Sequence, residues 1–180
     1  MNTKPIFPVN ICGRIEELPV CRLESGISIA FLNLHGNAGL TEYCAAQLAP
    51  LVEGAEVLLT AESKGLQLTH CVARNLGHSH YAAARKSLKL YLKDGIRTEV
   101  QSITTAGTQT LYLSKYDAEL LKGKKVAIVD DVISTGSSLK GLEKLVELAG
   151  GTVYKRAAVL AEGAAAERKD IVFLAAIPIL

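Results

Sequence analysis

Residues 125–138, KVAIVDDVISTGSS, are the most informative stretch of this 180-residue sequence. Four apolar residues at 126–129 lead directly into Asp130 and Asp131. Because Val and Ile dominate this run and a Gly-Lys-Lys turn precedes it, it predicts a strand buried on both faces, as in a parallel sheet. Open parallel sheets bind ligands beyond the carboxyl ends of their strands, so the two acids are expected where a ligand meets the sheet.

Two residues further on, the chain continues with a run of small residues: Ser134, Thr135, Gly136, Ser137 and Ser138. Apolar residues then recur at helical spacing from Leu139 to Ala149, so this loop opens a predicted helix. Backbone donors at a helix N-terminus bind anions, and Ser137 or Ser138 is expected to cap the helix. Since adjacent carboxylates suit the paired hydroxyls of a ribose, acids followed by this loop predict a ribose 5-phosphate site.

Residues 126–138 resemble the phosphoribosyl pyrophosphate (PRPP) signature of the type I phosphoribosyltransferases. The resemblance implies that Asp130 and Asp131 bind the ribose hydroxyls and that residues 134–138 bind the 5-phosphate. Acid pairs at strand ends also occur in phosphoacceptor receiver domains, and any strand-turn-helix unit can be rich in Ser and Gly. Receiver domains, however, carry their acid pair early in the chain, unlike this sequence.

A second segment, TAESKG at residues 60–65, follows an apolar strand and resembles the pyrophosphate loop of the family. The resemblance assigns pyrophosphate binding to Glu62, Ser63, Lys64 and Gly65. Glycine lets the backbone approach a diphosphate closely, and lysine adds a point positive charge. Taken alone, the segment fits equally a plain strand-to-helix turn in which Ser63 caps the helix.

A third segment, RKSLKL at residues 85–90, resembles the Arg-Lys-x-x-Lys-Leu element of adenine and xanthine phosphoribosyltransferases and of related purine regulators. A displaced pyrophosphate carries several negative charges, and the forked donors of arginine match phosphate oxygens. Arg85, Lys86 and Lys89 are therefore candidate pyrophosphate ligands. The alternatives are a charged edge strand or a nucleic-acid patch. The candidate catalytic residues are Asp130, Asp131, Lys86 and Lys89.

The polar stretch at 98–114, rich in Thr, Ser and Gln, predicts a long flexible hairpin. Family members close such a loop over PRPP, which excludes water from a reactive sugar cation. Adenine phosphoribosyltransferases carry an acidic-aromatic-Gly element there, whereas this sequence aligns Thr105, Ala106 and Gly107 with it, and Glu99 lies upstream. This departure leaves adenine in question as the substrate.

Strand and helix signals alternate along the chain, which is typical of an α/β fold with a mainly parallel sheet and helices on both faces. The pattern predicts strands at residues 27–34, 57–61, 79–85, 126–129, 152–160 and 171–175, and helices at 40–52, from 64, and at 139–149. The family fold adds the hairpin and a small hood over the nucleobase. Residues 1–180 are expected to form one phosphoribosyltransferase domain, with 1–25 and 162–180 as candidate hood segments.

Composition agrees with an ordinary soluble enzyme, since 49% of the residues are hydrophobic and the length allows a proper core. A net charge of +2 with mixed signs lacks the basic surface that binds duplex nucleic acid, so we expect no nucleic-acid partner. No apolar stretch has the length of a membrane span. We therefore expect a cytoplasmic protein with no membrane partner. The 4 cysteines lack a CxxC pair, and His78 with His80 on one strand face would supply too few metal ligands.

The resemblance implies transfer of a 5-phosphoribosyl group from PRPP to a nucleobase in nucleotide salvage, with release of pyrophosphate. A purine, adenine or xanthine, is favoured, and orotate is not excluded. Magnesium is the expected cofactor, bound mainly by substrate oxygens, with Asp130 or Asp131 reached directly or through water. A homodimer is expected from the family. The alternative is a non-catalytic PRPP sensor or regulator with the same fold.

Overall fold

The computed structural model describes residues 5–23, 26–102 and 107–180 and has an α/β fold. Its strands are β1 (Ile6–Ile11), β2 (Arg14–Arg22), β3 (Ser28–Ala30), β4 (Val57–Ala61), β5 (Ala82–Ala84), β6 (Ile96–Ser102), β7 (Gly107–Leu113), β8 (Lys125–Ile133), β9 (Thr152–Glu162) and β10 (Val172–Ile177). Its α-helices are α1 (Ala38–Leu48), α2 (Gly65–Asn75), α3 (Lys115–Leu121) and α4 (Ser137–Leu148).

A central sheet of 5 parallel strands, in the order β10-β9-β8-β4-β5, carries the fold. β8 lies in its middle, and its first apolar residues, Val126, Ala127, Ile128 and Val129, are at most 1% exposed. Such a strand is stable only where other elements cover both of its faces. The prediction of a parallel sheet is confirmed.

Two hydrophobic clusters pack against the opposite faces of this sheet. One contains the apolar sides of α1 and α2, with Leu48 and Val72, and the other contains α4 and β7, with Leu142 and Leu113. The side chains of residues 126–129 of β8 alternate between the clusters, because successive residues of a strand point to opposite faces. Helices therefore lie on both faces, as predicted.

The N-terminal residues form a separate antiparallel sheet in the order β1-β2-β3. The strand predicted at 27–34 is too long, because only Ser28–Ala30 is a strand, and it pairs with β2. The backbone of Ser28 also exchanges two hydrogen bonds of 3.1 Å with Leu180. Leu180 of the predicted hood segment 162–180 thus bonds β3, which follows the other predicted hood segment, 1–25, and pairs with its strand β2.

The strand predicted at 79–85 is shorter in the structure, where β5 comprises Ala82–Ala84 and Arg85 forms an isolated antiparallel bridge with Tyr112. α2 ends in a turn at Gly77, whose φ is +74°, and the N–H of His78 bonds the carbonyl of Ala73. His78 and His80 therefore precede the strand and do not share a strand face. Among the described residues, no group of three or more His, Cys, Asp or Glu could hold a metal.

The predicted hairpin is present as β6 and β7, which pair in an antiparallel register from Ile96↔Leu113 to Ser102↔Gly107. Thr105 and Ala106, at the position of the acidic loop element of the adenine enzymes, lie outside the described residues. The short helix α3 was not predicted, although Ser114 caps it by accepting a 3.0 Å hydrogen bond from the N–H of Asp117. No helix within the described ranges is long and apolar enough to cross a membrane.

Candidate active site

The acid pair lies inside β8 and not after it. The ladder to β9 continues past both acids to Ile133, so the predicted strand end at residue 129 is wrong. Asp131 is buried and Asp130 is partly exposed, and the N–H of Asp131 donates a 2.9 Å hydrogen bond to Oδ1 of Asp130. The central position of β8 places both carboxylates at the carboxyl edge of the sheet, where open parallel sheets bind ligands.

The electrostatics of the pair disfavour two full charges. Burial and the adjacent Asp131 carboxylate raise the pKa of Asp130 well above the usual range of aspartate, while the nearby Lys86 ammonium lowers it. The charged form of a carboxyl in this setting is stabilised by a nearby cation or by hydroxyl groups that donate hydrogen bonds to it.

Lys64 pairs with the second acid. Its Nζ lies 2.5 Å from Oδ2 of Asp131 and 5.0 Å from the centre of the Phe31 ring. Lys64 stands at the N-cap position of α2, and no side chain caps this helix, so the capping role considered for Ser63 is wrong. Lys64, which was predicted to bind pyrophosphate, is thus paired with Asp131, which was predicted to bind the ribose hydroxyls.

Gly65 stands where a side chain has no room. A Cβ at this position would lie 2.2 Å from Oγ1 of the fully buried Thr60 and 3.4 Å from Oδ1 of Asp130. Contacts under about 3 Å are not tolerated, so the backbone approach requires glycine. The candidate pyrophosphate loop therefore lies directly against the acid pair.

Glu62 joins the second and third candidate segments. Its Oε2 lies 2.7 Å from Nε of Arg85, and its Oε1 accepts a 2.6 Å hydrogen bond from the N–H of Lys86. Nη1 of Arg85 also donates a 3.0 Å hydrogen bond to the hydroxyl of Tyr91. The acid thus orients two candidate cations. Lys89 is exposed, and no side-chain bond among the described residues joins it to these groups.

The predicted phosphate loop ends at the N-terminus of α4. Gly136 is the N-cap residue, and its φ of +77° is the left-handed conformation that glycine adopts without strain. Ser137 is the first helical residue and no side chain caps the helix, so the capping prediction for Ser137 or Ser138 is wrong. Oγ of Ser137 lies 3.1 Å from Oγ1 of Thr135, which groups two hydroxyls beside the first N–H groups of the helix.

Comparison with known proteins assigns the family. Residues 45–177 match the sequence profile of the phosphoribosyl transferase domain. The chain belongs to the phosphoribosyltransferase family. The acids of β8, the loop at Gly65 and the turn at Gly136 all lie within the matched range.

Named relatives are similar to this phosphoribosyltransferase over part of their length. A xanthine phosphoribosyltransferase of Bifidobacterium adolescentis is 32% identical over 127 residues, which are 69% of this chain and 65% of that protein. An adenine phosphoribosyltransferase of Rhodococcus opacus is 37% identical over 116 residues, 63% of this chain and 61% of that protein. The matched regions thus span less than two thirds of these relatives.

The fold comparison agrees with the family. The crystal structure of an adenine phosphoribosyltransferase from Thermoanaerobacter pseudethanolicus superposes with a TM-score of 0.68 and 26% identity, covering 83% of this chain and 89% of that chain. The predicted type I phosphoribosyltransferase fold is confirmed.

Three side chains at this phosphoribosyltransferase site were not singled out from the sequence. Phe31 lies beneath the Lys64 ammonium, and the ring nitrogens of His35 lie 3.4 Å from Oγ of Ser63 and 3.3 Å from Nε2 of Gln67. Arg168 lies against Gly136. Each reaches the site from a segment distant in sequence, so no local pattern marked it.

Proposed function

We propose that this chain transfers a 5-phosphoribosyl group from PRPP to a purine, adenine or xanthine, and releases pyrophosphate, in nucleotide salvage. The observation that carries the proposal is the contact of the acid pair with the Lys64 ammonium and the Gly65 backbone, on the strand that leads into the loop before α4. The names of the relatives, adenine and xanthine phosphoribosyltransferase, support the reaction and the purine class.

In this proposal, Asp130 and Asp131 bind the ribose hydroxyls, and the following loop binds the 5-phosphate through Ser134, Thr135, Gly136, Ser137 and Ser138. Pyrophosphate is assigned to the loop that precedes α2 and to the cationic element at 85–90, at Glu62, Ser63, Lys64, Gly65, Arg85, Lys86 and Lys89. Catalysis is assigned to electrostatics, because holding PRPP and neutralising its leaving group lower the barrier without a covalent nucleophile.

Magnesium fits the donors present. Oδ2 of Asp131 is buried, its contact within the described residues is the ion pair with Lys64, and the two acids supply only carboxylate oxygens. Mg²⁺ prefers oxygen ligands and keeps several waters, so Asp130 or Asp131 would hold it together with substrate oxygens. When bound, the ion neutralises negative charge on the departing pyrophosphate.

A homodimer is part of the proposal. Leu88, Leu90 and Tyr91 follow the first cations of the third segment and are 55%, 83% and 62% exposed. Clustered exposed apolar side chains mark interaction surfaces, and a second copy of the chain would cover them. The hood role of residues 1–25 and 162–180 within one domain is also proposed, supported by the bonds of Leu180 to Ser28 on β3, the strand that pairs with β2 of the first segment. A cytoplasmic location stays a prediction.

A PRPP sensor without catalysis has less support, because the named relatives are transferases. The deciding experiment measures pyrophosphate release from PRPP and Mg²⁺ with adenine, guanine, hypoxanthine, xanthine, uracil and orotate in turn. We expect release with adenine or xanthine and loss of release in the Asp130→Asn/Asp131→Asn variant. Asp94→Asn, at an exposed position away from the pair, is the matched control. If no base gives pyrophosphate release although PRPP binds, the result would favour the sensor.

A further inference from the structure

Arg168 rests on the candidate phosphate loop from the C-terminal segment. Its Nη1 lies 2.9 Å from the position that a Cβ on Gly136 would occupy. Gly136 is buried, has a φ of +77° and is the N-cap of α4. A guanidinium therefore packs directly on the backbone of the turn whose N–H groups begin the helix.

The orientation of this guanidinium is set by Asp170. Nε of Arg168 donates a 2.9 Å hydrogen bond to Oδ1 of Asp170, and Nη2 donates a 2.6 Å hydrogen bond to Oδ2. This fork engages two of the five N–H donors of arginine. Among the described residues, the side chain of Arg168 has no other acceptor, so the Nη1 donors at the loop are left for a ligand.

Asp170 is itself held in place. Its Oδ2 lies 3.7 Å from Nε of Arg156 on β9, and Arg156 forms an ion pair with Glu143 on α4. Arg168, Asp170, Arg156 and Glu143 therefore form a chain of charges that runs from the loop to the helix it opens. A cation fixed in this way loses less side-chain entropy when it binds an anion than a mobile lysine does.

The loop beneath Arg168 already favours an anion. The helix dipole and the N–H groups of the first turn of α4 attract negative charge. No carboxylate besides Asp170 pairs with the guanidinium within the described ranges, and the side chain of Arg168 is 31% exposed, so a small anion has access to it.

We propose that Arg168, positioned by Asp170, is a further binding residue for the 5-phosphate, taking the terminal phosphate monoester of PRPP and of the nucleotide product. This inference rests on the proposed function, since it assigns the loop before α4 to that phosphate. It also gives part of the segment 162–180, for which a hood over the nucleobase was predicted, a role in phosphate binding.

The test compares ligands with and without the 5-phosphate. Calorimetric titration of the full chain with PRPP and Mg²⁺, with ribose 5-phosphate, and with pyrophosphate and Mg²⁺ is carried out for Arg168→Gln, Arg168→Lys and Lys169→Gln. Loss of a charge-assisted pair predicts that Arg168→Gln weakens PRPP and ribose 5-phosphate by about ten-fold and leaves pyrophosphate unchanged. Arg168→Lys is expected to recover part of the loss. The adjacent exposed Lys169 is the matched control and should bind all three ligands normally.

Thermal unfolding of each variant separates binding from support of the loop. If Arg168 only supports the loop through its fork to Asp170, Arg168→Gln lowers the melting temperature and Arg168→Lys, which cannot form that fork, recovers none of the ribose 5-phosphate affinity; this result would overturn the proposal. If Arg168→Gln leaves ribose 5-phosphate binding unchanged, the proposed role of Arg168 is overturned, whereas the proposed phosphate loop is not affected. Absence of ribose 5-phosphate and PRPP binding by the unmodified chain would overturn the proposed phosphate loop, and the role of Arg168 with it.

Discussion

The ammonium of Lys64 lies 2.5 Å from the carboxylate of Asp131, whose side chain is only 9% exposed. The contact joins the start of α2 to the middle strand of the sheet, so it connects two segments that are far apart in the sequence. The energy of such a pair depends on burial, because an acid deprived of its partner inside the protein keeps its desolvation cost.

Replacement of Lys64 by methionine is expected to lower the free energy of unfolding by about 2 kcal/mol, since it leaves the buried Asp131 charge unpaired. Asp131→Asn in the same chain should restore most of that loss, because the amide carries no charge. Denaturant unfolding of both single variants and the double variant measures the coupling between the two residues. Strictly additive effects would show that the pair contributes nothing to stability.

Replacement of Gly65 by alanine is expected to destabilise the protein by about 1–3 kcal/mol and to weaken PRPP binding, because the added Cβ would meet Oγ1 of Thr60. Gly39→Ala is the matched control, since Gly39 also lies in the first turn of a helix and has nothing within 4 Å of its Cβ position. Thermal unfolding should show Gly39→Ala as neutral or stabilising. Equal effects of both substitutions would contradict the close approach at Gly65.

The pH dependence of stability should report on Asp130. Because its pKa is raised in the folded protein, to about 8, the folded state binds the proton more tightly than the unfolded chain does. Its contribution to stability is therefore present below about pH 4, the pKa of an unfolded aspartate, and is lost as the pH rises toward the folded pKa.

Asp130→Asn removes this titration, so without PRPP and Mg²⁺ the variant should unfold at a higher temperature than the unmodified protein near about pH 7.5. The difference should shrink as the pH falls to about 4.5. Melting curves across this range provide the measurement, and Asp94→Asn should show no comparable trend. A difference that is constant with pH would refute the raised pKa.

Substitution of Glu62 by glutamine tests whether this acid positions the cations or faces the pyrophosphate itself. If Glu62 orients Arg85 and the backbone of Lys86, loss of its charge should weaken pyrophosphate binding by about five-fold and leave ribose 5-phosphate binding unchanged. Titration with each ligand distinguishes the two roles. Tighter pyrophosphate binding by Glu62→Gln would mean that the carboxylate repels the ligand directly.

Local patterns predicted the parts of the fold that local forces decide. The apolar residues 126–129 formed the buried strand, and the small residues after Ile133 formed the turn into α4. Where a strand was predicted beyond its apolar core the prediction failed. Residues 79–81 were included in the strand, yet the turn after α2 delays its start until Ala82. β8 also continues through its acids, because the ladder to β9 stabilises residues that strand propensity disfavours.

The sequence by itself determined the chemistry of this protein: an acid pair, a small-residue turn and clusters of cations, each within a short segment whose order carries the family resemblance. Only the tertiary structure decided how these groups combine. It paired Lys64 with Asp131, placed Glu62 between Arg85 and Lys86, and brought Arg168 onto Gly136. The reason is physical, because a segment's composition follows from its own residues, whereas ion pairs and close backbone contacts depend on which strand ends the sheet brings to one edge.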